Sequence, residues 1–336
     1  FFFKILLLLH MISHKYIDYS SYKHMLDIPA YTLVDEGSER LWEDLKQHVR
    51  DLGWTATDNT VLWATPQLES TKCVFARRDD DGSMLGSCLW SEHEGIAWVG
   101  FYITIPSIRG CGLGREIWAR TMERMRKKQL VIGLRAAGSM REKYASSVTP
   151  FEVSRIRKHI LSLEHMKEFC ARFDTPSGCL RMYGELTEEQ QRDLRRFDRE
   201  VTGRDRFDWI CKLIKSPESQ VAVLINDSKV CAYAAVSTVG HAERNMFKLG
   251  PCYASSVSEF AVLTKRLLQW VEKYPTGARI VLGILSGSAG ERELEDVLGH
   301  RTGDAEMVAL FSEAIEARMN LGKCYVPNNA HCHYDA

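Results

Sequence analysis

The 336-residue sequence carries no excess of charge of either sign. It contains 44 lysine and arginine residues and 44 aspartate and glutamate residues, so its formal net charge is zero. A protein that binds nucleic acid across one whole face usually has a basic field, which is missing here. The basic clusters Arg195-Arg196 and Arg124 to Lys128 are therefore predicted to be solvated helix faces, and nucleic acid is not expected as a partner.

The sequence also has no long hydrophobic run. No apolar stretch reaches the roughly 18 residues of a membrane-spanning helix, so no membrane partner is expected. Residues 1–9 are apolar apart from Lys4, but neither a basic segment before them nor a small-residue cleavage site after them is clear. Residues 1–30 are predicted to be a disordered leader or a gene-model artefact, with a signal or anchor remnant as the alternative.

The ten cysteines are scattered and contain no C-x-x-C pair. A chain of this length does not need disulfides to hold its core, so reduced thiols in a cytoplasmic protein are predicted. His331-Cys332-His333 has no partner cluster at zinc-ligand spacing, and no metal is expected.

Apolar residues make up 45% of the chain and charged residues 26%, as in ordinary globular proteins, and the length suggests two domains. Hydrophobic periodicity and turn residues predict the elements of the first half. They are strands at 31–34, 72–78, 84–90, 96–105, 130–136 and 151–163, and helices at 39–52, 115–128 and 141–146.

The second half repeats this order. Strands are predicted at 220–224, 230–236 and 279–285, and helices at 257–273 and 291–298. A glycine turn is predicted near Gly250, which follows Gly110 by 140 residues, about one domain length. Two copies of one architecture are therefore expected, with their boundary between about Arg172 and Gly178, where the segment from Asp174 to Gly178 has linker composition.

One loop carries the clearest chemical signal. A long apolar strand ends at Pro106, and Arg109-Gly110-Cys111-Gly112-Leu113-Gly114 leads into a helix. Unpaired N–H groups and the dipole at a helix start favour an anion, glycines let the backbone approach it, and arginine adds a cation. A P-loop is excluded because Gly114 is followed by Arg115-Glu116, and the dinucleotide fingerprint fails because its last glycine would fall on Arg115 or Ile117.

The spacing R-x-x-G-x-G, formed by Arg109, Gly112 and Gly114, resembles the acetyl-coenzyme A (acetyl-CoA) loop of the GNAT N-acetyltransferase superfamily. The order of elements around the loop resembles that fold too. The resemblance implies an α/β fold (an α+β mixed sheet) of two tandem GNAT domains at 31–173 and 174–336, with acetyl-CoA as co-substrate. It assigns coenzyme binding to Ile103, Thr104, Ile105, Arg109, Gly110, Cys111, Gly112, Leu113 and Gly114.

The same resemblance implies direct attack by a primary amine on the thioester in a ternary complex. Tyr144 is the candidate acid for the leaving thiolate, with a packing tyrosine as the alternative. Glu92 or Glu94 is the candidate base, with a solvated turn carboxylate as the alternative; His93 between them has no better support.

The second half departs from the loop pattern. Pro251 in Gly250-Pro251-Cys252-Tyr253-Ala254 removes one N–H donor and only one glycine is present. This segment and the Asp198 to Arg206 segment resemble the C-terminal domain of YitH-like tandem GNAT proteins. That family implies that the first domain binds the coenzyme and the second helps to form the substrate cleft.

Two functions are expected from these observations. The first is an N-acetyltransferase that acts on a small-molecule or protein amine. The alternative is a non-catalytic tandem GNAT module that binds acyl-CoA or a protein partner. The acceptor and the oligomeric state are left open by the sequence.

Overall fold

The structure is a computed structural model, which describes residues 28–53, 59–174, 178–239, 245–274, 277–298 and 306–328. The predicted leader up to residue 27, linker residues 175–177 and His331-Cys332-His333 lie outside the described residues. We use "first half" for residues 31–173 and "second half" for residues 174–336.

The described residues form thirteen strands, and every strand predicted from the sequence is present within a few residues of its predicted bounds. The strands are β1 Tyr31–Val34, β2 Thr71–Arg78, β3 Met84–His93, β4 Ile96–Thr104, β5 Val131–Ala137, β6 Phe151–Ser162, β7 Cys179–Met182, β8 Ser219–Asn226, β9 Lys229–Thr238, β10 Met246–Tyr253, β11 Arg279–Leu285, β12 Glu306–Phe311 and β13 Cys324–Val326.

Ten α-helices are present in the described part of the chain. They are α1 Glu39–Asp51, α2 Asn59–Ala64, α3 Leu113–Lys127, α4 Arg141–Ala145, α5 Leu163–Cys170, α6 Glu188–Thr202, α7 Phe207–Lys215, α8 Val257–Val271, α9 Ala289–Glu293 and α10 Glu295–Leu298. The single helix predicted at 291–298 is thus two short helices. No helix among these residues is long and apolar enough to cross a bilayer.

All strands belong to one sheet, whose order is β1-β2-β3-β4-β5-β12-β6-β11-β10-β9-β8-β7, with β13 paired to β10. The two halves exchange strands at its centre. β12 of the second half pairs with β5, whereas β6 of the first half pairs with β11. Each half therefore completes the sheet of the other, and the outer edge of β5 is supported by a strand from far along the chain.

Side chains alternate between two faces of this sheet, as strand geometry requires. On one face, a core shared by both halves holds α1, α2, α6 and α7. On the other face, α3 and the half-buried Tyr144 of α4 pack on the first-half strands, and α5, α8, α9 and α10 pack on the second-half strands. Residues of the second half therefore pack against the first half on both faces of the sheet.

The predicted glycine turn at Gly250 is wrong. Gly250 lies inside β10, and the connection from that strand to α8 begins only at Ala254. Glycine is required there because φ is +142° and a Cβ would come within 2.9 Å of the Pro327 carbonyl oxygen. The residue marks a close approach between backbone segments, which the sequence pattern cannot distinguish from a turn.

Candidate active site

Strands β4 and β5 pair over only part of their length. Their parallel register runs from Ile96 opposite Val131 to Val99 opposite Leu134 and then stops. β4 continues to Thr104 and β5 to Ala137. Within the described residues, no strand lies between these continuations. We call this gap, between Gly100–Thr104 and Arg135–Ala137, the first slot.

A bulge in β4 lies at the base of the first slot. Phe101 has a φ of +48°, and the register between β3 and β4 shifts between Ser87 and Leu89. Positive φ is uncommon for a bulky side chain, and a bulge re-aims the strand that contains it. The Phe101 side chain is buried, and the Ser87 hydroxyl donates a hydrogen bond of 2.9 Å to the Phe101 carbonyl oxygen. Sequence reasoning missed this bulge, because an aromatic residue gives no signal for positive φ.

The predicted coenzyme loop lies at the open end of the first slot. Ile103 and Thr104 end β4, Ile105 follows, and a short 3-10 helix spans Pro106–Ile108. Arg109 is exposed, and its Nε donates a hydrogen bond of 3.2 Å to the Thr104 carbonyl oxygen. Its guanidinium is thereby held beside the last residue of the strand.

Glycine geometry keeps the start of α3 accessible. Gly110 and Gly112 have φ values of +88° and +94°, and a Cβ on either would meet no atom within 4 Å. Gly112 is the N-cap of α3, and no side chain caps the helix there. Cys111 lies between them with its Sγ 2.6 Å from the Ile108 carbonyl oxygen, and Leu113 is buried below. The helix start therefore presents backbone N–H groups and the positive end of its dipole to solvent.

An aromatic cluster flanks the first slot on the face of α3. The ring centroids of Tyr102 and Trp118 are 5.2 Å apart, and those of Trp118 and Tyr144 are 5.8 Å apart. Gly114 leaves room for this cluster, because a Cβ there would lie 2.9 Å from the Tyr102 hydroxyl. Burial raises the pKa of Tyr144 to about 12. Its hydroxyl is therefore protonated at neutral pH and is a weaker acid than that of an exposed tyrosine.

The two candidate bases, Glu92 and Glu94, lie in different environments. Glu92 lies on the same face of β3 as Trp90, whose Nε1 donates to it at 3.0 Å, and the Lys128 ammonium of the α3 C-cap lies 2.6 Å from Glu92. Burial tends to raise the pKa of Glu92, but these two hydrogen bonds hold it below its ordinary value. Glu92 is thus a weakened base on the face of α3.

Glu94 lies in the β3–β4 turn and contacts the second half. One of its oxygens is 3.1 Å from Nη1 of Arg204 and 3.1 Å from Nη1 of Arg318. Arg204 is buried, so this contact ties the turn to the segment between α6 and α7. His93 also lies near, with its Nε2 3.8 Å from a Glu94 oxygen. The structure therefore brings the loop residues and Tyr144 to the first slot, and it separates Glu92 from Glu94.

The signature segments of the second half form a buried polar cluster in place of an open loop. Arg206 donates two hydrogen bonds to Asp198, at 3.0 and 2.8 Å, and a third to the Tyr253 hydroxyl at 2.9 Å. Tyr233 also donates to Asp198, and all four residues are buried. These residues hold β9 and β10 against α6 and the start of α7.

Comparisons with known proteins show what the chain as a whole is similar to. No protein-family profile matches the chain. The uncharacterized protein F36G3.2 of Caenorhabditis elegans is 29% identical over 320 residues, which cover 91% of this chain and 98% of that protein. Among solved structures, a presumed acetyltransferase from Pyrococcus horikoshii matches with a TM-score of 0.62 and 14% identity, over 95% of this chain and all of the other.

A tandem GNAT protein from the clavulanic acid biosynthesis pathway, solved without acetyl-CoA, matches with a TM-score of 0.60 and 14% identity, over 85% of this chain and all of that one. This chain has a tandem GNAT fold. A GCN5-related N-acetyltransferase from Sphaerobacter thermophilus also matches, with a TM-score of 0.52 and 12% identity, over 88% of this chain and 96% of the other. The predicted fold class is confirmed, whereas the closer likeness to YitH-like proteins stays a prediction.

Proposed function

We propose that the chain is an N-acetyltransferase that binds acetyl-CoA in the first slot and transfers its acetyl group to a primary amine in a ternary complex. The observation that carries this proposal is the pairing of an open gap between two parallel strands with an uncapped helix start at its end. Each feature suits one part of the coenzyme. The GNAT fold of the chain is consistent with such an activity but does not by itself establish it.

The loop residues suit a pyrophosphate. Backbone N–H groups from Gly110 to Gly114 bind anionic oxygens, and the α3 dipole favours negative charge at that point. The Arg109 guanidinium adds a charge-assisted donor at the rim.

The strand residues suit an extended amide-bearing arm. Gly100–Thr104 of β4 has no strand partner on the side of β5 among the described residues, so its backbone can pair with a ligand in the manner of a third strand. A backbone N–H of this segment then stabilises the negative charge that develops on the thioester oxygen during attack.

Proton transfer completes the reaction. Acetyl-CoA supplies the acetyl group as a thioester; the amine nitrogen bonds to the carbonyl carbon, the carbon–sulfur bond breaks, and the sulfur keeps the electron pair. Tyr144 donates its hydroxyl proton towards the departing sulfur. A base accepts the proton that the amine nitrogen loses. Of the two candidates, Glu92 lies opposite Ala97 of β4, whereas Glu94 lies at the end of β4 away from the first slot and contacts Arg204 and Arg318.

The acceptor we propose is a small-molecule or protein amine. The test is release of coenzyme A thiol from acetyl-CoA by the full chain, followed across a panel of amines and lysine peptides. Amine-dependent release that disappears in Arg109→Ala is expected. Binding of acetyl-CoA without acceptor-dependent release from any amine would favour the non-catalytic module instead.

The same assay separates the two carboxylates. The base is the residue whose glutamine variant, Glu92→Gln or Glu94→Gln, lowers kcat by about 10²-fold and removes the acidic limb of the pH profile. A carboxylate that only holds the structure leaves that limb in place.

A further inference from the structure

The second half contains a gap of the same design as the first slot. β10 pairs in parallel with β11 from Met246 opposite Arg279 to Leu249 opposite Leu282, and then the register stops. Both strands continue, to Tyr253 and Leu285. The β4–β5 pair also stops after four residue pairs. We call the gap between Gly250–Tyr253 and Gly283–Leu285 the second slot.

The second slot is filled by the chain itself. β13 pairs antiparallel with β10, with Cys252 opposite Val326 and Tyr253 opposite Cys324. The side chains of Cys324, Tyr325 and Val326 are all fully buried. In the second slot, β13 therefore pairs with the edge of β10. The equivalent edge of β4 in the first slot has no strand partner among the described residues.

The side chain of Tyr325 lies between two helices on one face of the second slot. Its ring stacks on Phe260 of α8 at a centroid distance of 5.1 Å, and its hydroxyl hydrogen-bonds to Glu293 of α9. These two helices follow β10 and β11 in the way that α3 and α4 follow β4 and β5. The space between helices on that face of the second slot is thus taken by an aromatic side chain.

The helix start at the second slot is closed as well. The N–H of Ala254 donates to the Lys323 carbonyl oxygen at 3.0 Å, and the Ser256 side chain caps α8. Glu259 accepts from the Ser255 N–H at 2.6 Å, which places a carboxylate where an anionic ligand would have to lie. By contrast, no side chain caps the start of α3 at Gly112.

Two glycines allow the strand to lie so close. A Cβ on Gly250 would come within 2.9 Å of the Pro327 carbonyl oxygen, and a Cβ on Gly290 of α9 would collide with the Tyr325 backbone. A side chain at either position would force the neighbouring backbone to shift. The glycines of the second half thus serve the docking of β13, whereas Gly110 and Gly112 in the first half face open space.

We propose that β13 is a built-in occupant of the second slot, which makes the second half a closed counterpart of the first that binds no acyl-CoA. The expected stoichiometry of one acetyl-CoA per chain rests on the proposed function. The claim that β13 fills the second slot does not rest on the proposed function, and it is tested separately. The second half then serves the first as a scaffold, through β12 against β5.

Two measurements on the full chain test this inference. Hydrogen exchange of the unliganded protein should show protected amides in 252–254 and 324–326, and saturating acetyl-CoA should leave them unchanged while it slows exchange in 100–104 and 112–114. Calorimetric titration with acetyl-CoA should give one equivalent for the wild type and none for Gly112→Glu. A second equivalent, residual binding in Gly112→Glu, or an acetyl-CoA-dependent change at 324–326 would overturn the inference.

If the proposed function is wrong, the titration and the hydrogen exchange give a different pattern of results. If the wild type binds no acetyl-CoA, the proposed function fails, and exchange at 324–326 still decides the role of β13: slow exchange supports it and fast exchange contradicts it. Tyr325→Phe, which removes only the hydroxyl bonded to Glu293, should speed exchange at 324–326 at least threefold without changing exchange in 100–104. Equal exchange at 324–326 in this variant and in the wild type would count against the docking described here.

Discussion

The backbone N–H of Ala254 donates a hydrogen bond of 3.0 Å to the carbonyl oxygen of Lys323. Ala254 follows β10, and Lys323 precedes β13, so this bond fixes the last strand beside the strand that leads into α8. The corresponding connection in the first half, from Ile105 to Gly112, has no strand of the described chain docked on it. The two halves therefore differ in whether a strand of the described chain is docked at this connection.

The first prediction concerns the docking of β13. Gly290→Ala should lower the free energy of unfolding by about 1–3 kcal/mol, since its Cβ would press against the Tyr325 backbone in a fully packed site. Gly138→Ala is the matched control, because its Cβ would meet only the Glu306 carbonyl oxygen, at an ordinary 3.7 Å. Urea denaturation of both variants is the measurement. Equal stability of the two variants would contradict the close packing of β13.

The second prediction concerns Tyr144. Tyr144→Phe should lower kcat by about 10²-fold with little change in KM, because in the proposed mechanism the hydroxyl donates to the leaving sulfur, and the ring keeps its packing on Trp118. Since burial raises its pKa to about 12, Tyr144 should cause no loss of activity with rising pH up to about pH 11. Tyr183→Phe, a second-half tyrosine bonded to Gln191, is the control. An unchanged kcat in Tyr144→Phe would assign the residue to packing alone.

The third prediction concerns the pair formed by Glu92 and Lys128. Glu92 has a folded pKa below its ordinary 4.5, so the pair stabilises the fold above that pH, and the stabilisation is lost as pH falls through the folded pKa. Lys128→Gln should therefore cost less than about 1 kcal/mol at pH 7, because the lysine side chain is half exposed.

Denaturation at several pH values measures this effect. The stability difference between wild type and Lys128→Gln should shrink as the pH falls below 4.5 and Glu92 becomes protonated in the folded protein. Lys127→Gln is the control on the same turn of helix. A difference that stays constant from pH 3 to 7 would show that the pair contributes nothing through charge.

The parts of the fold and site that could be predicted are those with a local signal. The R-x-x-G-x-G spacing of Arg109, Gly112 and Gly114 identified the loop, because Gly112 has positive φ and Gly114 leaves room for the Tyr102 hydroxyl. Alternating and helical periodicity gave nine strands and the helices α1, α3, α4 and α8 to within a few residues, whereas the helices α2, α5, α6 and α7 were not predicted. The assignment of coenzyme binding to this loop stays a prediction.

Other parts depend on contacts between distant segments. β12 is an apolar run without alternation and β13 has three residues, so neither was predicted. Their partners β5 and β10 lie far away in sequence, so neither the strand exchange nor the filled second slot was visible. Gly250 gave the signal of a turn but serves a close approach to Val326 and Pro327. The bulge at Phe101 depends on β3, through Ser87, and could not be read from its own residue type.

The most direct test of the central claim is calorimetric binding of acetyl-CoA to the wild type, Gly112→Glu and Gly82→Glu. Gly112 and Gly82 have φ values of +94° and +74° and open space around them, so the two glutamates impose similar backbone strain, but only one lies at the start of α3. The account predicts binding to the wild type and to Gly82→Glu, and none to Gly112→Glu. Absence of binding to the wild type, or equal affinity for all three proteins, would contradict the first slot as the acetyl-CoA site.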